Sequence, residues 1–140
     1  VCPKDAVLPA SDESNDILNC KIAEYTKAVI QGRPNFHISL VIDVSPYCDC
    51  HGENDAAIVP NVGMFASFDP VALDVACADA VNAQPVIKNS KLGDCDEEER
   101  KAHHHDHFHS IFPETNWESA IEHGVAIGIG SKEYELITVK

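Results

Sequence analysis

The chain has 140 residues, 44% hydrophobic and 24% charged, with a net charge of −13, the makeup of one globular domain with its own core. So negative a surface repels phosphate backbones and anionic lipid, which argues against nucleic acid or a membrane surface as partner. No apolar run approaches the roughly 20 residues a membrane helix needs, no leader-like N-terminus is seen, and a first residue of Val1 suggests a processed chain or a fragment.

The six cysteines are Cys2, Cys20, Cys48, Cys50, Cys77 and Cys95. Three disulfides are one arrangement, but the chain is long for a disulfide scaffold. Cys20 and Cys77 also fall in helical patterns, where cysteine behaves as a small buried hydrophobe. A reducing, cytoplasmic setting is therefore expected.

Val1-Cys-Pro-Lys-Asp-Ala-Val7 has the flavour of the end of a bacterial ferredoxin motif, whose last cysteine precedes proline. Without upstream cysteines Cys2 is an orphan cluster ligand. Residues 1–8 are read either as a remnant of such a motif or as an arbitrary Cys-Pro at the terminus, and residues 9–140 as a single α/β domain.

Ser11 to Gly32 predicts a helix. Ser11 or Ser14 can cap it, and Ile17, Leu18, Ile22, Tyr25, Val29 and Ile30 approximate one apolar stripe. Gly32 ends it and Pro34 prevents its resumption. Phe36 to Val44 alternates and predicts a strand, with Phe36, Ile38, Leu40, Ile42 and Val44 on one face and His37, Ser39, Val41 and Asp43 on the other. Pro46 breaks the ladder. Ala56–Pro60 is a short strand or an extended loop. Val62 to Phe68 is a second strand, apolar on both faces and so expected to be buried.

Asp69-Pro70 starts a helix, with Asp as cap and Pro at the first helical position. Its body runs Val71–Ala83, rich in alanine, and Pro85 stops it. Residues 86–114 are polar and irregular, with an acidic run from Asp94 to Arg100 that reads as a solvated loop or short helix. Thr115-Asn-Trp-Glu118 has the form of a capping box, so a helix should run to about Ile127 and close at Gly128 and Gly130. Gly124, Gly128 and Gly130 resemble a dinucleotide loop only superficially, because they end a helix. Tyr134–Val139 predicts a last strand. The sum is an α/β fold: a small mixed sheet of three to four strands with helices packed on it, part of a larger α/β protein.

Two stretches carry chemistry. In the first, Cys48-Asp49-Cys50 leaves the end of the first strand, followed by His51, Glu53, Asn54 and Asp55. Thiolates suit zinc or iron, and a closed zinc site needs four ligands. A redox disulfide or two reduced thiols are the other readings. Asp49 and Asp55 are the acid/base candidates. The second is His103-His-His-Asp-His-Phe-His109. As an extended segment it lines up His105, His107 and His109, while as a helix it pairs His103 with His107. A solvated histidine-rich loop is the plain alternative. The metal set this suggests is Cys48, Cys50, His107 and His109.

The chain resembles the C-terminal part of iron–sulfur cluster-binding proteins of the domain of unknown function 362 family. The resemblance rests on Val1-Cys-Pro-Lys-Asp-Ala, Val44-Ser-Pro-Tyr-Cys-Asp-Cys, Asn54-Asp-Ala-Ala-Ile-Val-Pro, Ala66-Ser-Phe-Asp-Pro-Val-Ala-Leu-Asp74, Asp106-His-Phe-His and Lys132-Glu-Tyr-Glu-Leu-Ile. The chain departs from the family at Tyr47 (Asn expected), at His51 (Trp expected) and in the longer run His103–His105. The resemblance implies a missing N-terminal and ferredoxin portion as partner, carrying 4Fe–4S clusters that are not expected in this chain. The leading expectation is a metal-binding, redox-related module holding zinc or iron. The alternatives are the substrate-binding half of a redox enzyme and a purely structural support. Whether the chain is itself an enzyme stays open, and a homo-oligomer is compatible with it.

Overall fold

The computed structural model describes residues 15–48, 51–52, 54–102 and 106–139. Expectations for Cys2, Ser11, Ser14, Asp49, Cys50 and His103–His105, and for the 1–8 remnant, lie outside these residues. The described residues form a mixed α/β arrangement.

Helix α1 (Asn15–Ile30) ends as expected, with Gly32 in the left-handed region at φ 71°. The face it buries is the surprise. Ile17, Leu18, Ile22, Tyr25 and Val29 are all exposed, and Ala23 is the buried residue. The opposite side of α1 meets α6 (Glu118–Ala126): Asn19 Nδ2 donates to the Asn116 carbonyl at 2.6 Å and Lys27 Nζ donates to the Ile127 carbonyl.

Strand β1 (His37–Val41) pairs antiparallel with β2 (Gly63–Ser67), Ile38 opposite Ala66 and Leu40 opposite Met64. Helix α2 (Pro70–Asn82) covers one face of this ribbon. The covered face carries His37, Ser39, Val41, Gly63, Phe65 and Ser67. The apolar face is bare, so Leu40, Met64 and Phe68 are exposed at 62%, 69% and 77%, and the burial expected for both faces of β2 is corrected.

The start of α2 follows the sequence. Asp69 Oδ1 accepts from the Ala72 N–H at 2.9 Å, with Pro70 at the first position. Asp69 Oδ2 also accepts from the Ser131 N–H at 2.8 Å, a long-range tie no local pattern announces. Gly130 makes room for it, since a Cβ there would strike the Asp69 carboxylate.

Two strands are formed among the described residues. Tyr134–Val139 is not a strand, although its residues favour one. Tyr134 Oη donates to Asp79 Oδ2 at 2.7 Å, and a groove of about 600 Å³ separates the segment from β2. No backbone hydrogen bond crosses between the two among the described residues, so no ladder is formed there.

The core lies at the other end of α2. Val41, Ile58, Val59, Val81, Leu92 and Ile111 form its buried cluster. Ile58 and Val59 sit on the extended 56–60 segment, which the Ile58 N–H ties to the Val44 carbonyl at 2.8 Å and the Ile58 carbonyl ties to the Ile87 N–H at 2.9 Å. The acidic run is solvated and partly a short helix, as expected, with Asp94, Asp96, Glu97 and Glu98 exposed, but the region 86–114 as a whole is not irregular. It folds into α3 (Lys91–Asp94), α4 (Glu97–Ala102) and α5 (His107–Ile111), and a few apolar anchors, Leu92 and Ile111 above all, hold it to the core. Gly93 is required in α3, because a Cβ would collide with the backbone carbonyls of Ile87 and Lys88.

Helix α6 arises where expected but without the capping box. Trp117 occupies the capping position with no side-chain cap, and its indole instead donates to Asp106.

Candidate functional site around the cysteine loop and helix α5

Asp43, at φ 49°, turns the chain out of β1, and its N–H donates to Asn61 Oδ1 at 2.7 Å. The loop that follows is organised by Asn54. Its Oδ1 accepts from the Tyr47 N–H at 3.2 Å, and its Nδ2 donates to the Tyr47 carbonyl at 3.0 Å and to Ser45 Oγ at 2.9 Å. The His51 N–H donates to the Cys48 carbonyl at 2.9 Å, and the His51 ring stacks on Tyr47. Cys48 is exposed. Asp55 is exposed, and its Oδ1 accepts from the Ala56 N–H at 2.7 Å, so it shapes the return of the loop.

Asp106 is the centre of the second stretch. It is the N-cap of α5, its Oδ1 accepting from the Phe108 and His109 N–H groups at 2.8 and 3.3 Å. Its Oδ2 accepts from His109 Nδ1 at 2.8 Å and from Trp117 Nε1 at 2.9 Å. Burial pushes this carboxyl up, but the hydrogen bonds from Trp117, His109 and the backbone outweigh it and hold Asp106 below the usual carboxylate range.

Because the carboxylate only accepts, the hydrogen bond places a proton on His109 Nδ1, and in the neutral ring that leaves Nε2 as the acceptor nitrogen. A carboxylate behind an imidazole is the arrangement that orients a metal-binding or proton-accepting histidine. His107 is placed differently. Its Nε2 faces the Gln84 carbonyl at 3.1 Å, its N–H donates to Asn82 Oδ1 at 2.9 Å, and its ring is 5% exposed. Its buried Nδ1 has no partner among the described residues. The two histidines stand two apart on the helical turn that begins at His107, not on an extended segment, so they leave different sides of it; the part of the alignment that involves His105 lies outside the described residues.

The two stretches meet at their ends. Tyr47, just before Cys48, packs on Phe112, just after α5, with ring centroids 5.3 Å apart. Lys91 from α3 joins them, its Nζ donating to Tyr47 Oη at 2.6 Å. Among the described residues no three His, Cys, Asp or Glu side chains are gathered as a metal-holding group. Cys50, Asp49 and His103–His105 are not among those residues.

Sequence reasoning missed the Asp106 hub and Lys91. Asp106 had a readable signal, an N-cap residue ahead of a short apolar turn. Lys91 had none, since 44 positions separate it from Tyr47.

A second polar group lies under α2. Asp74 and Cys77 face β1 beside His37 and Ser39. Burial raises the Asp74 carboxyl against the lowering pull of His37. Burial likewise raises the Cys77 thiol, against its hydrogen bond with Ser39.

No described helix is long and apolar enough to cross a membrane. No curated protein and no solved structure matches the chain. The family model described as "Domain of unknown function (DUF362)" matches residues 4–79, a span that takes in β1, the Cys48 loop, β2 and most of α2. The chain belongs to the DUF362 family.

Proposed function

We propose that the chain is a metal-binding, redox-related α/β module of a larger iron–sulfur protein. The observation that carries this is the Asp106–His109 pair, a carboxylate 2.8 Å from Nδ1 of an imidazole, on the element whose end packs against the Cys48 loop. The donor chemistry fits zinc or iron: thiolate from Cys48 and Cys50, imidazole nitrogen from His109. His107 enters the set only through its buried Nδ1. A resident ion supplies a cross-link between loop and helix, or Lewis acidity if one position stays open. In this scheme Asp106 holds the His109 ring and fixes its tautomer, and Asn54 holds the loop that presents Cys48.

The larger protein is supported by surface that nothing described here covers. The outer ribbon face, from Phe36 to Phe68, and the α1 stripe are both apolar and bare, and contiguous apolar surface of this kind marks an interaction site. In the complete protein a ferredoxin-bearing portion covers these faces, and Tyr134–Val139 joins the sheet as a third or fourth strand.

The test is metal analysis of the purified chain. One zinc or iron per chain is expected, lost in the Cys48→Ser, Cys50→Ser double variant and weakened roughly 10- to 100-fold by Asp106→Asn. Binding should also weaken below about pH 6, where imidazoles protonate. Metal no higher than trace in the wild-type chain, whether reduced or oxidised, would sink the reading.

A further inference from the structure

Lys91 is placed by its own backbone before its side chain does anything. Ser90, 2% exposed, caps α3 by accepting from the Gly93 N–H at 3.2 Å, and Leu92 is fully buried in the core. The residue between them therefore has little freedom at its root. Its side chain reaches across to the cysteine loop, where the ammonium donates to Tyr47 Oη at 2.6 Å. The same nitrogen lies 4.3 Å from the centre of the Tyr47 ring and 4.5 Å from that of Phe112. Both distances are within the reach of cation–π attraction.

The consequence is a mount with two ends. Asn54 grips the backbone of Tyr47 on both its N–H and its carbonyl. Lys91 and Phe112 grip its ring. Cys48 is the next residue, and Phe112 is three residues past His109 on the segment that α5 defines. A lysine on the surface ordinarily keeps its ammonium in water. Here the charge is spent on two rings and a phenol that come from separate parts of the chain.

We propose that Lys91 is a positioning residue: its ammonium clamps the Tyr47–Cys48 stretch onto Phe112 and so sets where the cysteine loop stands relative to His109. The clamp itself follows from the contacts above. Its consequence for metal rests on the reading in the previous subsection. An apolar side chain of the same length cannot replace it, because the phenol loses its donor and the rings lose their cation. Arginine keeps both interactions in altered geometry.

The test compares Lys91→Met and Lys91→Arg with the wild type in two measurements. The first is backbone hydrogen exchange in peptides covering residues 45–54, with α2 as internal control. The second is zinc affinity at pH 7 by competition with a chromophoric chelator. Lys91→Met should speed exchange in 45–54 by about ten-fold while α2 is unchanged, and weaken zinc by about ten-fold. Lys91→Arg should restore most of both.

Unchanged exchange in 45–54 overturns the clamp, even if zinc affinity falls, because the charge then acts without holding the loop. Faster exchange in a chain that binds no zinc in its wild-type form leaves the clamp standing and removes the metal reading. If Lys91→Met does not fold, Tyr47→Phe decides, since it deletes the hydrogen bond and keeps both rings: a smaller rise in exchange confined to 45–54 supports the clamp, and none overturns it.

Discussion

The two faces of the β1–β2 ribbon differ in the opposite sense from their composition. The face with Phe36, Ile38, Leu40, Ile42, Met64, Ala66 and Phe68 holds no charged residue and stands open. The face α2 covers is the mixed one, where His37, Ser39 and Ser67 stand beside Val41, Gly63 and Phe65. Helix α1 repeats the pattern, its apolar stripe bare and its Asn19 and Lys27 side set against α6. A strand apolar on one side and packed on the other is made to be covered twice, as in layered α/β proteins. Burial is thus governed here by what is present to pack against, and hydrophobicity only says which faces ask for a partner.

The largest test of that contrast sets a core leucine against a ribbon leucine. Leu92→Ala should cost about 2–5 kcal/mol by urea unfolding, as expected for a fully buried leucine. Leu40→Ala on the open face should cost within about 0.5 kcal/mol. A comparable loss at Leu40 would mean that this face is covered in solution, and the contrast would fail.

A mid-sized test loosens the covered side. Asp69 caps α2 and also holds Ser131, and its own N–H donates to Ser67 Oγ at 3.0 Å. Asp69→Ala should cost about 1–2 kcal/mol in thermal unfolding, with faster hydrogen exchange through the first turn of α2 and through residues 131–134. Exchange that changes in α2 alone would show that the Ser131 tie carries no stability.

The smallest effect is a pH dependence on the same side. Asp74 has its folded-state carboxyl raised by burial, against the pull of His37. For a raised carboxyl, stability is fully present below the unfolded value of about 3.9 and is lost as pH rises through the folded value. Asp74→Asn should therefore raise the melting temperature at pH 7 only slightly, by about 1 °C or less, because solvent reaches the exposed Asp74 and screens its charge, and the gain should close near pH 3. A gain that persists at pH 3 would assign the effect to something other than the charge. Fluorescence of Trp117, the single tryptophan, offers a convenient signal for these unfolding curves.

Much of the local structure was legible. Asp69-Pro70 marks the start of α2, Gly32 the end of α1, and Gly128 the end of α6 at φ 76°. These features act within a turn of themselves, so a one-dimensional reading reaches them. The failures share a different cause. Thr115 to Glu118 satisfied a capping pattern, yet Trp117 was drawn to Asp106, eleven positions back. The polar stretch 86–114 entered the core through single anchors such as Leu92 and Ile111, too sparse to register as periodicity. Tyr134–Val139 has strand residues but lies across a groove from β2 without pairing to it. Of the site, the sequence marked Cys48 and the histidine run as chemistry-bearing, but not the Asp106 hub that turns His109, nor the Lys91 clamp.

By itself, then, the sequence determined the family and the positions and ends of the main elements. It also determined which faces are apolar, because propensity, capping and alternation are properties of neighbours along the chain. The tertiary structure alone decided which of those faces is packed, which histidine is buried and which is oriented by a carboxylate, and how a loop near residue 47 comes to rest on an element near residue 112. Those outcomes depend on contacts between residues tens of positions apart, where a single hydrogen bond or ring contact outweighs a local preference.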